Sequence, residues 1–507
     1  MKKSLFILVF ILGVSGLVAA SENTEVDQLQ IQAEQGSVDA QFALGAMYYD
    51  GKQVPQDFEK AAGMFALAAK QNDALAQLML GLMYRYGEGV PQNSKTAFAW
   101  FSKAVVQADD RFISKVGLIE MKLPTALQTG PKGSEEIYLV GGVQGLVLAQ
   151  TLLGEMYLGG EGVQQDYGKA KEFFRLAAEK GYAAAQTNLA LMLTDGRGLP
   201  PDYTEAVKWY RLAAEQGDPS AQTSLGVMYQ YGWGVDQDYG ESLRLYRSAA
   251  EKGYATALTN LGKLYSTGRG VERDDKKAFG FYQQAAAENE AEAQYLLGLM
   301  YRQGLGVSAD SNAAVNWYRR AAEQGFARAQ YAVGVAYADG EGVKTDLGQA
   351  VKWYRLAAAQ GFVWAEYNLG VAYENSQGVT PDAREAVGWY RKAAQQGLLQ
   401  AQFNLGGMLE DGRGVAQDTR AALNWYRQAA AQGLAEASAR TGGIYYYGKA
   451  VPQDYVEAYA WFLVAVAQRV EGLSEFLKAF EQELSPAQRE AGLKRAVEIQ
   501  LTFSTGN

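Results

Sequence analysis

The sequence contains no cysteine and no histidine. No disulfide can form, no Cys/His metal centre can be built, and every mechanism that needs a thiolate or an imidazole is excluded. No basic tract is present either, and the formal net charge is −9. A phosphate backbone therefore finds no electrostatic footprint, which removes nucleic acid as a partner. Past the first twenty residues no apolar run approaches the ~20 residues that cross a bilayer.

The first twenty residues read as an export leader. Lys2 and Lys3 make a basic start, Leu5–Val18 is a short apolar run, and Val18-Ala19-Ala20 supplies small residues for cleavage after Ala20. The rival reading is an uncleaved anchor, but the run is short for a span. A mature chain placed in the periplasm or secreted, without an integral span, is the expectation.

A strict repeat organises the remainder. Gly181, Gly217, Gly253, Gly325, Gly361, Gly397 and Gly433 fall on multiples of 36, and Asn289 and Asn72 take the same place where glycine is missing. Asparagine is the other residue that tolerates a left-handed backbone. In 182–217 the residues Ala185, Leu189 and Leu193 define the apolar face of a first helix, Ala183–Thr194. Gly196 ends it. Asp202 with Glu205 then forms a capping box for a second helix, a pair repeated at Asp238/Glu241, Asp382/Glu385 and Asp454/Glu457. Tyr203, Ala206, Tyr210 and Ala213 make the second apolar stripe. Each first helix also carries a small residue at a fixed place, such as Gly226, Gly334, Gly370 and Gly406. Glycine inside a helix costs about 1 kcal/mol, so a neighbour must pass too close for a side chain. Neither helix can bury its face alone, and repeats must stack.

The spacing predicts the following organisation: leader 1–20; capping helix 21–36; two repeats over 37–108; a degenerate repeat or loop-bearing insertion at 109–145, whose presumed helices are separated by Gly130, Pro131 and Gly133; nine repeats over 146–468; and capping helices over 469–507. Ser485-Pro486-Ala487-Gln488 opens the last helix, and a polar outer face is expected of this cap.

Phe326–Gly361 shows the fullest motif: Ala329, Val333-Gly334, Tyr337, Gly340-Glu341-Gly342-Val343, Asp346, Ala350, Trp353-Tyr354, Ala357-Ala358 and Gly361. It resembles the Sel1-like repeat, a relative of the tetratricopeptide repeat. The resemblance covers roughly 37–468 except 109–145. It implies an all-α, right-handed superhelical solenoid of about twelve antiparallel helix pairs, with a concave face that holds other proteins.

Recurring G-x-G turns, such as Gly160-Glu161-Gly162, follow helices and read as structure rather than as a phosphate loop. The Trp-Tyr-Arg strings at 209–211, 317–319, 353–355, 389–391 and 425–427 read as core aromatics followed by a solvated arginine. No catalytic residue, metal site or cofactor is expected. Asparagine in the first helix is the better site candidate: Asn188, Asn260, Asn368 and Asn404 occupy a place that elsewhere holds Met79, Leu152, Leu296 or Ala332. An amide donates and accepts, which suits a peptide backbone. The alternative is an asparagine facing water. Trp233 and Trp364 interrupt the pattern and are either interface anchors or packed against a neighbour.

A surface without recurring reactive groups points to an exported, non-enzymatic scaffold for a protein or peptide. The alternatives are a binder of peptidoglycan or exopolysaccharide, and a wall-active hydrolase.

Overall fold

The computed structural model describes residues 23–51, 53–107, 120–122, 137–139, 142–198, 200–470 and 472–505. The leader and most of 109–145 lie outside them. The chain forms two compact bodies, divided between Arg273 and Asp274. Each is a stack of antiparallel helix pairs, giving an all-α solenoid. The exception lies in 109–145, where helices were expected. There Glu120–Lys122 pairs antiparallel with Ile137–Leu139, Met121 opposite Tyr138.

The repeat of 182–217 shows how local chemistry sets the elements. Its first helix is Ala183–Asp195 and its second Tyr203–Glu215. Gly196 caps the first at φ +63°. Asn72 and Asn289 adopt φ +66° and +62°, the left-handed conformation for which they stand in. Ala450 and Ser376 hold the same conformation without glycine's freedom.

The capping boxes form only by half. Asp202, Asp238, Asp382 and Asp454 each accept from the backbone N–H of the glutamate three residues on. The glutamates do not return the bond. Glu205 accepts from Arg175 and from Trp209 Nε1, Glu241 from Arg244, Glu385 from Trp389 Nε1 and Glu457 from Arg495. The aspartate N–H in each case already donates to a carbonyl of the first helix, that of Leu193, Tyr229, Tyr373 or Tyr445, so the glutamate is left to other donors. At Ser485 the full box closes: Gln488 N–H donates to the serine hydroxyl at 3.3 Å, and Ser485 N–H to Gln488 Oε1 at 3.0 Å.

Two kinds of glycine fix the packing. A Cβ at Gly370 would stand 2.5 Å from Tyr390 Cδ1, and one at Gly406 2.7 Å from Tyr426 Cε1. The object too close for a side chain is thus an aromatic ring from the second helix of the same repeat. The turn glycines face the repeat before. A Cβ at Gly342 would fall on the backbone of Ser311, and one at Gly414 on that of Ala383. Gly388, inside the helix Ala383–Gln395, meets nothing within 4 Å. Gly388→Ala is therefore expected to raise stability by up to about 1 kcal/mol, whereas Gly370→Ala should lower it by about 1–3 kcal/mol through overpacking. Paired urea titrations of the two variants check the sign reversal.

The strings Trp-Tyr-Arg divide their roles. Tyr210, Tyr390 and Tyr426 are fully buried. The tryptophans are only half buried, and Lys392 lies 4.0 Å over the Trp389 ring. The arginine is not simply solvated: Arg211, Arg319 and Arg355 donate to Tyr229, Tyr337 and Tyr373 hydroxyls of the following repeat. The final helix, Pro486–Thr505, packs on Tyr455–Ala467, and its outer face mixes charged residues such as Arg489, Glu490, Lys494 and Glu498 with apolar ones. Leu493, Val497 and Leu501 are each more than half exposed along it.

Candidate functional site

Asn368 and Asn404 occupy the same place in successive repeats of the C-terminal body, and each faces the repeat before its own. The Asn368 amide lies beside the hydroxyls of Tyr331 and Tyr354. The Asn404 amide lies beside those of Tyr367 and Tyr390. Both asparagines are half buried. Packing thus leaves an amide lining each inter-repeat cleft, next to two phenols. The Asn368 cleft has a volume of about 180 Å³ and is walled by Asp339, Leu347, Tyr354, Val371 and Gln377. The Asn404 cleft, about 130 Å³, is walled by Glu374, Glu410, Asp411, Arg413 and Arg440.

The electrostatics of the second cleft are set by pairs. Tyr390 donates to Glu374 at 2.7 Å and Tyr426 to Glu410 at 2.9 Å. Arg413 reaches Glu374 at 2.6 Å, and Arg440 stands 3.8 Å from Glu410. Burial, then the neighbouring carboxylate, pushes the Tyr390 and Tyr426 phenols far above their usual range. Burial, helped by the nearby Tyr331 and Asp339, lifts Tyr354 up to about 12 against the neighbouring Asn368 amide. These hydroxyls stay protonated near neutral pH and act as fixed donors rather than as bases or nucleophiles. The clefts can recognise polar groups; they offer no activated atom.

The remaining expected site residues are distributed differently. Asn188 lies beside Glu155, whose carboxyl is raised by burial despite Arg85 at 2.9 Å. Asn260 is 9% exposed, too buried for a groove contact. Trp233 is 41% exposed and stacks on Tyr203 and Tyr231, ring centroids 5.7 and 5.0 Å away. Trp364 is 40% exposed and meets Tyr367 edge-on at 6.3 Å. Asn188, Trp233 and Asn260 belong to the N-terminal body; Trp364, Asn368 and Asn404 belong to the C-terminal one. From sequence Glu410, paired with Asp411 beside a helix-ending glycine, reads as a solvated loop carboxylate, and Glu374 does not stand out; the signal of both is an acceptor sixteen residues before a buried tyrosine.

Among the described residues no cluster of His, Cys, Asp and Glu could hold a metal ion, and no helix is long and apolar enough to cross a membrane.

A stack of helix pairs with polar inter-repeat clefts defines a helical-repeat protein. The chain belongs to the Sel1 repeat family: the Sel1 repeat model matches eleven segments, 38–73, 74–105, 147–182, 183–218, 219–254, 255–290, 291–326, 327–362, 365–398, 399–434 and 435–469. Residues 106–146, which include the ribbon, are unmatched. Members of this family generally mediate protein–protein interaction and typically act as non-catalytic scaffolds. Among solved structures the chain is similar to c5321, a protective antigen present in uropathogenic Escherichia coli strains displaying an SLR fold. Identity is 34%, coverage 95% of each chain and the TM-score 0.58. It is also similar to a Sel1 repeat protein from Oxalobacter formigenes, at 35% identity over 58% of this chain and 85% of that one, with a TM-score of 0.44. A search of curated proteins returns no match.

Proposed function

We propose that this chain is an exported, non-enzymatic adaptor that holds an extended segment of a partner protein across the Asn368 and Asn404 clefts. The observation that carries the proposal is the repetition itself. Two successive repeats present the same half-buried amide, next to two phenols, in the lining of a cleft. An amide packed this way spends little ordering entropy when it meets a peptide unit. The basic, apolar and small-residue segments of 1–20 support export, as does similarity to a protective antigen. N-terminal sequencing of the exported protein is expected to begin at Ser21; retention of Met1 removes the export part of the proposal.

Cross-linking in the native envelope, followed by mass spectrometry, is the route to the partner. With that partner in hand, Asn368→Ala combined with Asn404→Ala is expected to weaken binding about ten- to a hundredfold, the worth of one or two lost hydrogen bonds in a half-buried site. A change within twofold, in a variant whose thermal unfolding matches the parent, removes these asparagines from the site. Incubation with purified peptidoglycan tests the class. The adaptor neither pellets with it nor releases fragments; pelleting alone indicates a glycan binder, and release a hydrolase.

A further inference from the structure

A glutamine in the first helix ties successive repeats together. In at least seven repeats its Nε2 donates to an alanine carbonyl eight residues back, at the end of the preceding repeat's second helix. Examples are Gln186 to Ala178 at 3.1 Å, Gln330 to Ala322 at 3.2 Å and Gln402 to Ala394 at 3.3 Å. In five of the seven, its Oε1 accepts from a glutamine thirty residues later, as from Gln360 onto Gln330 and Gln432 onto Gln402; Gln77 and Gln222 Oε1 find no such partner. One side chain thereby joins three helices, donating to one repeat and accepting from its own.

At 366 the chain places a glutamate, 4% exposed. The accepting half survives, since Gln396 donates to Glu366 Oε2 at 2.7 Å. The donating half cannot survive ionisation. A carboxylate has no hydrogen, and the oxygen in the amide's place would face the Ala358 carbonyl, which keeps only its bond from Gly361 N–H. A carboxylic acid supplies an O–H where the sister repeats supply an N–H. The charged group acting on Glu366 is Lys392, on the second helix of its own repeat. What it faces from the preceding repeat's second helix, by analogy with the sister repeats, is the uncharged Ala358 carbonyl. Burial outweighs both Gln396 and Lys392 and holds the carboxyl above its ordinary range.

We propose that Glu366 is a proton-operated latch between repeats 326–361 and 362–397: protonated, it donates to the Ala358 carbonyl and closes the junction; ionised, it gives up that bond and loosens it. Asn368 stands two residues further along the same helix, so the latch acts on a wall of the Asn368 cleft. Because the folded-state carboxyl titrates above the unfolded one, proton binding favours the folded junction. The stabilisation is complete below the ordinary glutamate range and is lost as pH rises from there through the elevated folded value.

The test uses full-length protein and amide-exchange protection factors in the helix Val363–Glu374, with the parent, Glu366→Gln and Gln402→Glu compared at about pH 4 and about pH 7, either side of the ordinary glutamate value. Glu366→Gln restores the residue of the sister repeats, so its folding is not in question. It is expected to raise protection about tenfold at the higher pH, the worth of one buried donor regained, and to coincide with the parent at the lower. Gln402→Glu should import the same pH dependence into the helix Leu399–Asp411. An equal ratio between parent and Glu366→Gln at both pH values overturns the proposal, whatever Gln402→Glu does.

Discussion

Gly414→Ala is expected to destabilise the C-terminal body by about 3 kcal/mol or more. Two costs combine. Gly414 adopts φ +71°, where an L-residue pays roughly 1–2 kcal/mol. The added Cβ would also fall on the carbonyl of Ala383, the first residue of the preceding repeat's second helix. That oxygen belongs to a helix backbone and cannot rotate away, so the junction itself must open. Gly412 separates the two terms. Its φ is +69°, but its nearest obstacle is the Gln417 side chain at 3.2 Å, within its own turn. Gly412→Ala should therefore cost only the conformational part, about 1–2 kcal/mol. Urea titrations of both variants, read beside amide exchange in Ala383–Gln395, measure the difference. If the two cost the same, the turn does not clamp one repeat to the next.

The same pair marks what could be read from sequence. A glycine every 36 residues announced a left-handed backbone, and Asn72 and Asn289 substituting for it announced the same conformation, which both adopt. Local chemistry sufficed there, because the turn is determined by its own residues. The aspartate caps were legible for the same reason. What eluded the sequence depends on which side chains the fold sets together, within one helix or across repeats. Glu385 reads as the second half of a capping box until Trp389 Nε1 is placed 3.1 Å from it. Arg355 reads as solvated until the next repeat brings Tyr373 within 2.8 Å. Asn368 and Asn404 stood out as a place where packing does not demand an amide, but the phenols beside them could not be seen. Glu366 was lost among glutamates because only the ladder of sister glutamines shows what it lacks. The ribbon within 109–145 follows no repeat, so periodicity had nothing to say about it.

Tyr390→Ala is expected to cost about 3–5 kcal/mol, the range for emptying a buried aromatic site. The side chain is fully buried, fills the space left by Gly370, and packs 5.9 Å from the Tyr367 ring. Tyr390→Phe keeps the ring and removes one oxygen. Sister repeats carry Phe65, Phe101, Phe174 and Phe462 against Gly45, Gly81, Gly154 and Gly442, so the slot accepts phenylalanine without strain. The cost then reduces to the bond to Glu374, about 1 kcal/mol or somewhat more because the acceptor is charged. Sequence covariation within the chain agrees. Where the slot holds Tyr246, Tyr390 or Tyr426, the residue sixteen back is Gln230, Glu374 or Glu410 and accepts the hydroxyl. Where it holds Phe101 or Phe174, that residue is Arg85 or Leu158, neither of which accepts. The pairing is not general: the residue sixteen before Tyr354 is Ala338, which has no side-chain acceptor, and Tyr318 departs from it too. Its counterpart, Arg302, is a donor engaged with Glu341, and the buried Tyr318 hydroxyl finds no partner. An unsatisfied buried hydroxyl carries a desolvation cost with no return, so Tyr318→Phe should be neutral or stabilising while Tyr390→Phe destabilises. Thermal unfolding of the three variants orders them as Tyr390→Ala, then Tyr390→Phe, then Tyr318→Phe at or above the parent. A loss at Tyr318→Phe equal to that at Tyr390→Phe would mean that the acceptor sixteen residues back contributes nothing to the stability of the pair.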